Sequence, residues 1–252
     1  MSEARLTRWD RWNIALRLAL LQATWNYERQ QGLGWAWALK PALDRFYSDA
    51  GRRRARLTEH TAYFNTQPTL ASLALGAVAG LEEQRAAGGP VDAAAVARVK
   101  SALGSSLAAI GDRLFWLTLR PVAACVGLVF ALNGRWFGAI ALWACYNWIH
   151  LGLRVAGVGW GYREGPEVLG TPLRARLEEL VRGLGALGAA LIGLIVATVL
   201  VPGGAPRPMV FQAALAAGLG LGMLTAQRAR PSPTEWALGV GALCIVDRKS
   251  VV

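Results

Sequence analysis

Residues 183–201 read GLGALGAALIGLIVATVLV, nineteen residues without a formal charge. A helix needs about 20 apolar residues to cross the hydrocarbon core of a bilayer, so this stretch is a span. The short segment Pro202 to Pro208 joins it to a second apolar run, Met209 to Ala226, and together they read as an antiparallel transmembrane hairpin. Its small residues, Gly185, Gly188, Gly193, Gly218, Gly220 and Gly222, allow close helix approach in lipid. Arg174, Arg176 and Arg182 precede the hairpin and Arg228 and Arg230 follow it, whereas its turn carries Arg207 alone. The positive-inside bias therefore puts the turn outside and the flanks in the cytoplasm.

Working outward, the composition agrees with the hairpin. Of the 252 residues 54% are hydrophobic, with 29 glycines and 11 tryptophans, too apolar for an ordinary soluble domain. Trp136, Trp160 and Trp236 flank apolar runs, as interfacial tryptophans do. The net charge of +11 comes from arginines that bracket apolar segments. The dense cluster Arg52, Arg53, Arg54 and Arg56 has no aromatic-interleaved sheet or zinc spacing beside it, so the chain is not read as a nucleic-acid binder. Cys125, Cys145 and Cys244 lie within apolar runs with no ligand spacing and read as small buried hydrophobes, without disulfide or metal. Met1 to Trp12 has arginines but no apolar core of a secretory signal after them, which puts the N-terminus in the cytoplasm.

The fold class is all-α: a polytopic helical membrane protein with amphipathic N-terminal helices, broken or re-entrant helices and a C-terminal transmembrane hairpin. Residues 1–60 read as a cytoplasmic-side amphipathic helical region. Within it Trp9, Trp12, Leu16 and Leu20 share one helical face, for a membrane surface or a partner subunit. Pro41 kinks or starts part of a second helix, Gly34 to Tyr47, and a polar stretch runs from Ser48 to His60. Residues 61–182 read as a membrane core with broken helices and polar motifs. There Ala62 to Leu81 opens on Phe64-Asn65-Thr66-Gln67-Pro68 and ends at Glu82-Glu83, which suits a broken or re-entrant element with a solvated end. Asp92 caps a helix after the Gly88-Gly89-Pro90 loop. Pro121 opens Val122 to Leu132 as half of a discontinuous helix, and Trp136 to Val158 follows, interrupted by Asn147, His150 and Arg154. Residues 183–246 hold the hairpin and the start of a final span. That span stops abruptly at Val246, and residues 247–252 read as a non-native tail.

Three strings carry the chemistry: Gln22-Ala23-Thr24-Trp25-Asn26-Tyr27-Glu28-Arg29, then Phe64 to Pro68 with Leu75-Gly76 and Glu82-Glu83, then Ile110 to Pro121. In this order and spacing, with Gly161-Tyr162 beyond them, the chain resembles the IID subunit of the mannose/fructose/sorbose family of the bacterial phosphoenolpyruvate-dependent sugar phosphotransferase system. The resemblance covers most of the chain. It implies a multi-pass subunit of the bacterial inner (cytoplasmic) membrane that pairs with a IIC subunit as a trimer of IIC–IID heterodimers. A hexose passes through that complex and is phosphorylated through soluble IIA and IIB subunits, so the phosphohistidine relay lies on other chains and no cofactor is implied here. The competing reading is a non-transporting scaffold or regulatory subunit that binds IIC-like partners. It is motivated by Ser105-Ser106 and Arg113, where the family has more Gly/Pro-rich and small polar residues.

The residues themselves suggest roles. Asn65, Thr66 and Gln67 are neutral hydrogen-bonding groups, suited either to sugar hydroxyls or to the freed backbone of a break. Gln67 stands where the family usually has His. Asp112, Trp116, Thr118 and Arg120 are substrate or gating candidates, and Asp112 with Arg113 or Arg120 is alternatively an ion pair that fixes helix geometry. Trp25, Asn26, Tyr27 and Glu28 read as interface anchors. His60 and His150, the only histidines, have packing or surface roles, and the chain carries no Gly-rich phosphate loop, metal cluster or nucleophile motif.

Overall fold

Ala71–Ala86 is the helix around which the rest is arranged, because its residues 71–81 are apolar on every side apart from Ser72. A helix without a polar stripe must be covered all round, and the residues from Ala71 to Ala79 are all buried. The structure, a computed structural model, describes residues 5–170, 172–200 and 217–222. Its helices are α1 (Arg8–Arg17), α2 (Gly32–Phe46), α3 (Ala50–His60), α4 (Ala71–Ala86), α5 (Ala93–Leu114), α6 (Arg120–Leu132), α7 (Gly138–Glu164) and α8 (Pro172–Leu200). α4 packs against α2, α5, α7 and the 3-10 turn Gly165–Leu169, while α6 lies between α7 and α8.

α1 starts with a reciprocal cap, in which the Thr7 hydroxyl accepts from Asp10 N and the Asp10 carboxylate accepts from Thr7 N. Its Ile14 and Ala15, with Leu18 and Leu21 just beyond, join the core. The face expected to be apolar is turned outward, with Trp9 70% and Leu16 56% exposed. Pro41 lies inside α2, whose helix continues through it, and the polar stretch expected after Ser48 folds as α3 behind the cap Asp49.

Two expectations about broken helices need correction. The irregular backbone between α3 and α4 is confined to the segment before α4, which then runs unbroken to Ala86 and carries Glu82 and Glu83 within it. Pro121 does not begin a separate half-helix either. Helical backbone is continuous from Ala93 to Leu132, and Phe115–Leu119 forms a π-turn that closes with Arg120 N on Phe115 O. The proline falls just after the bulge, where the helical register has already shifted, and Thr118 Oγ1 donates to Arg113 O at 2.7 Å.

This helical run and Pro172–Val196 are the two described segments long and apolar enough to cross a membrane. α8 therefore begins well before residue 183. The short helical piece 217–222 lies against it, since a Cβ on Gly220 would meet Ala190 Cβ at 3.4 Å. The rest of the expected hairpin, the final span with Trp236, Cys244 and the tail fall outside the described residues. Cys125 and Cys145 are half-buried and free, rather than fully buried. Trp136, Trp143 and Trp148 are strongly exposed, at 83%, 63% and 84%. Such an apolar exterior fits lipid or a partner subunit.

Candidate functional site

The break before α4 is held by side chains acting as a substitute strand. Gln31 Nε2 donates to Thr66 O at 2.7 Å and Gln31 Oε1 accepts from Thr66 N at 3.0 Å. Gln67 Oε1 accepts from Thr69 N and Leu70 N, at 2.7 and 3.0 Å, and so caps α4. Of the three neutral residues singled out in the sequence, Gln67 thus serves its own backbone. Thr66 is buried with its hydroxyl unpartnered, and Asn65 is exposed. α5 crosses close above them, because a Cβ on Gly111 would stand 2.4 Å from Gln67 Cβ.

Beside the break, the Thr69 hydroxyl meets His150 Nδ1 at 2.6 Å, and the imidazole stacks on Tyr146 and stands edge-on to Phe115. Arg154 lies one turn further along α7, with its Nε buried and without a hydrogen-bond partner. His150, Tyr146 and Arg154 therefore line one face of α7 beside the π-turn. Sequence reading saw His150 and Arg154 as interruptions of an apolar run and did not single out Tyr146.

A cavity of about 640 Å³ opens on the other side of the break, between α3 and α5, with Glu59, Tyr63, Asn65, Ser101 and Ser105 among its walls. Lys100 closes one part of it. Its Nζ donates to His60 O and Ala62 O, both at 3.0 Å, and lies over the rings of Trp35 and Phe64. The lysine is buried because it occupies the inward stripe Val96, Lys100, Leu103 and Leu107 of α5. That spacing was legible in the sequence, but a lysine after a polar loop reads as solvated.

Below this lysine lies a buried ionic network. His60 Nε2 is 3.2 Å from Glu82 Oε1, and Tyr47 OH donates to Glu82 Oε2 at 2.7 Å. Arg85 bridges Glu82 and Glu59, at 3.5 and 2.8 Å. Glu82 is fully buried, which corrects its reading as a solvated helix end. The cause is tertiary: α4 presents it to the end of α2 and to α3, both of which supply donors. Trp35 Nε1–H donates to His60 Nδ1, so the imidazole proton sits on Nε2 and points at the carboxylate.

Burial lowers the His60 pKa from its ordinary 6.5, despite the neighbouring acid. Burial would raise the Glu82 carboxyl, but hydrogen bonds from His60 and Tyr47 and the charge of Arg85 outweigh it and hold the group below 4.5. Both shifts have the same sign for stability. The unfolded chain binds more protons than the folded one below about pH 6.5, first at His60 and then at Glu82. The thermal midpoint in detergent is therefore expected to fall on acidification below about pH 6.5. Replacing His60 by Asn should flatten the upper part of that fall; an unchanged profile in H60N would show that His60 is not neutral in the fold.

The charged run is arranged differently from the expected ion pair. Gly111, Leu114, Phe115, Thr118 and Leu119 face inward, whereas Asp112, Arg113, Trp116 and Arg120 face outward. No ion pair joins Asp112 to Arg113 or Arg120, and the Arg120 guanidinium lies 5.4 Å over the Trp116 ring instead. Helical spacing put the apolar residues on the buried side, leaving the charges to the exterior. The N-terminal string is also exterior: Trp25 and Tyr27 stand edge to face at 5.0 Å, Tyr27 is 90% exposed and Glu28 is exposed. Asn26 Oδ1 accepts from Arg29 N, and Trp25 Nε1 donates to Gln30, a non-glycine residue with φ of 52°. No group of three His, Cys, Asp or Glu side chains among the described residues is placed to hold a metal ion.

Residues 5–204 match the family model of the PTS system mannose/fructose/sorbose family IID component. The mannose-specific EIID component of Escherichia coli K12 is 36% identical over 196 residues, covering 77% of this chain and 69% of that protein. The sorbose-specific EIID component of Klebsiella pneumoniae is 33% identical over 78% of this chain and 72% of its own length. The fructose permease IID component of Bacillus subtilis is 32% identical over 77% and 70%. Among solved structures, a chain of the mannose transporter ManYZ complex with microcin E492 aligns with a TM-score of 0.62 at 27% identity, covering 99% of this chain and 98% of that one. A chain described only as a membrane protein aligns with a TM-score of 0.70 at 28% identity, covering 98% of both. With two helices long and apolar enough to span a membrane, the apolar exterior and these matches, the chain belongs to the IID components of the mannose/fructose/sorbose family of the sugar phosphotransferase system.

Proposed function

We propose that this IID component forms a sugar permease with a IIC subunit in the cytoplasmic membrane, N-terminus inside, as a trimer of heterodimers. In it a hexose is translocated and phosphorylated at the expense of phosphoenolpyruvate through soluble IIA and IIB subunits. The observation that carries the reading is the alignment over nearly the whole chain with a subunit of a mannose transporter complex. The broad exposed apolar surface of α6, α7 and α8 supports a subunit that works in contact with lipid and another membrane chain. We assign Asp112, Arg113, Trp116 and Arg120 to contact with IIC, because unpaired charge on an apolar helical exterior is stable only beside a polar partner or water. Trp25, Asn26, Tyr27 and Glu28 are assigned to the same kind of boundary. Asn65, beside the cavity, remains the residue of the break whose side chain is free to meet a sugar, with Thr66 and Gln67 supporting it.

The test is phosphoenolpyruvate-dependent phosphorylation of mannose, fructose, sorbose and glucosamine by membranes containing the IIC subunit and supplied with IIA and IIB. Activity is expected only when this chain is present, and is expected to be reduced by D112N and R120A at equal membrane protein. Equal phosphorylation with and without the chain, or none with it despite membrane insertion, would overturn the reading.

A further inference from the structure

A second basic feature lies away from the break, where α1 crosses the end of α7. A cavity of about 300 Å³ is lined there by Arg8, Arg11 and Trp12 of α1 and by Val155, Gly159, Trp160 and Arg163 of α7. The point where a Cβ of Gly159 would sit is 3.5 Å from Arg11 Nη1 and 3.7 Å from Arg163 Nη1. Two guanidinium groups thus converge over a bare patch of helix backbone, with Arg8 beside them.

Among the described residues no acid pairs with them. The sole carboxylate of α1, Asp10, is turned inward to Thr7 and to Arg45, whose Nη2 is 3.0 Å away. Glu83 is engaged by the Tyr162 hydroxyl, which also accepts from Leu6 N and ties α1 to α7. Like charges brought together without a counter-ion repel, so the arrangement is complete only with an anion between them.

The surroundings state what kind of anion. Trp9, Trp12 and Leu16 of α1, with Leu20 in the turn just after it, are exposed, as in a helix lying in a membrane interface. Below the arginines, Val155, Leu151 and Trp148 continue as an exposed apolar track along α7. From Arg163 to Trp148 that track spans roughly 22 Å of helix, comparable to an acyl chain. A ligand that is anionic at one end and apolar along its length fits both parts. We propose that the groove between α1 and α7 binds an anionic phospholipid, its phosphate between Arg11 and Arg163 with Arg8 at the rim and its acyl chain along α7. The site would anchor α1 to the membrane surface, independently of sugar transport.

The test uses the full chain in mild detergent, with retained phosphatidylglycerol and phosphatidylcholine measured by native mass spectrometry. Wild-type protein is expected to retain phosphatidylglycerol over phosphatidylcholine, and R11Q/R163Q to bind it roughly thirty-fold more weakly. R52Q/R54Q removes the same charge from α3 and should bind as wild type. G159L, which fills the groove without changing charge, should also lose the lipid. Retention by R11Q/R163Q equal to wild type, equal losses in both double variants, or equal retention of phosphatidylcholine would overturn the proposal. Displacement of the lipid by millimolar inorganic phosphate would likewise overturn it, in favour of a free phosphate ligand.

Discussion

Gly161→Ala is expected to destabilise the protein by about 3 kcal/mol or more, a large fraction of the stability of a domain. The added Cβ would stand 1.9 Å from Leu73 O and 2.9 Å from Ala77 N, both backbone atoms of α4. No side chain rotation relieves such a contact, so α4 and α7 must separate. The same seam is close at Gly76, whose Cβ would lie 2.2 Å from Val158 O, and at Gly157, 2.1 Å from Ser72 Oγ. Opening it at one glycine therefore loosens dispersion contacts along its length. Gly152→Ala is the matched control, since nothing lies within 4 Å of its Cβ position on the same helix. There the helical preference of alanine should leave stability unchanged or raise it by up to about 1 kcal/mol. Thermal unfolding in detergent separates the cases, and a G161A midpoint equal to that of G152A would mean that α4 and α7 do not meet as described.

The second large effect is expected at Glu82. Its carboxylate receives the Tyr47 hydroxyl, His60 Nε2–H and one arm of Arg85, and it is fully buried. Glu82→Ala removes the acceptor for these donors and leaves an arginine short of a partner. Breaking a buried ionic network from one side costs about 3–5 kcal/mol, because desolvation of the surviving groups is no longer offset. Glu82→Gln keeps the shape and one carbonyl acceptor, and should fall between wild type and alanine. Glu28→Ala, on an exposed carboxylate, should stay within about 0.5 kcal/mol of wild type. Equal stability of E82A and E28A would rule out the buried network.

Much of the organisation was legible along the chain. The outward Trp9, Trp12 and Leu16 face of α1, the Asp92 cap on α5 and the apolar run of α8 follow from spacing and local chemistry, which act within a few residues. The three strings that carried the family resemblance were equally visible. Glu82 was misread because four polar residues in a row, Glu82 to Arg85, look solvated when seen locally. Its partners lie 22 and 35 positions away, at His60 and Tyr47. Lys100 was missed for the same reason, although its place on the inward stripe of α5 could have revealed it.

The amino-acid sequence by itself determined that this is a helical membrane subunit of the IID family, where its apolar segments lie and which face of α1 is apolar. The tertiary structure decided which charges are inside. It buried Glu82 and Lys100, left Asp112 and Arg120 on the exterior, kept the Ala93 to Leu132 helix continuous through a π-turn and brought Arg11 beside Arg163. The physical reason is that helical periodicity is set by neighbours along the chain. The cost of burying a charge is cancelled only by groups that folding brings from elsewhere.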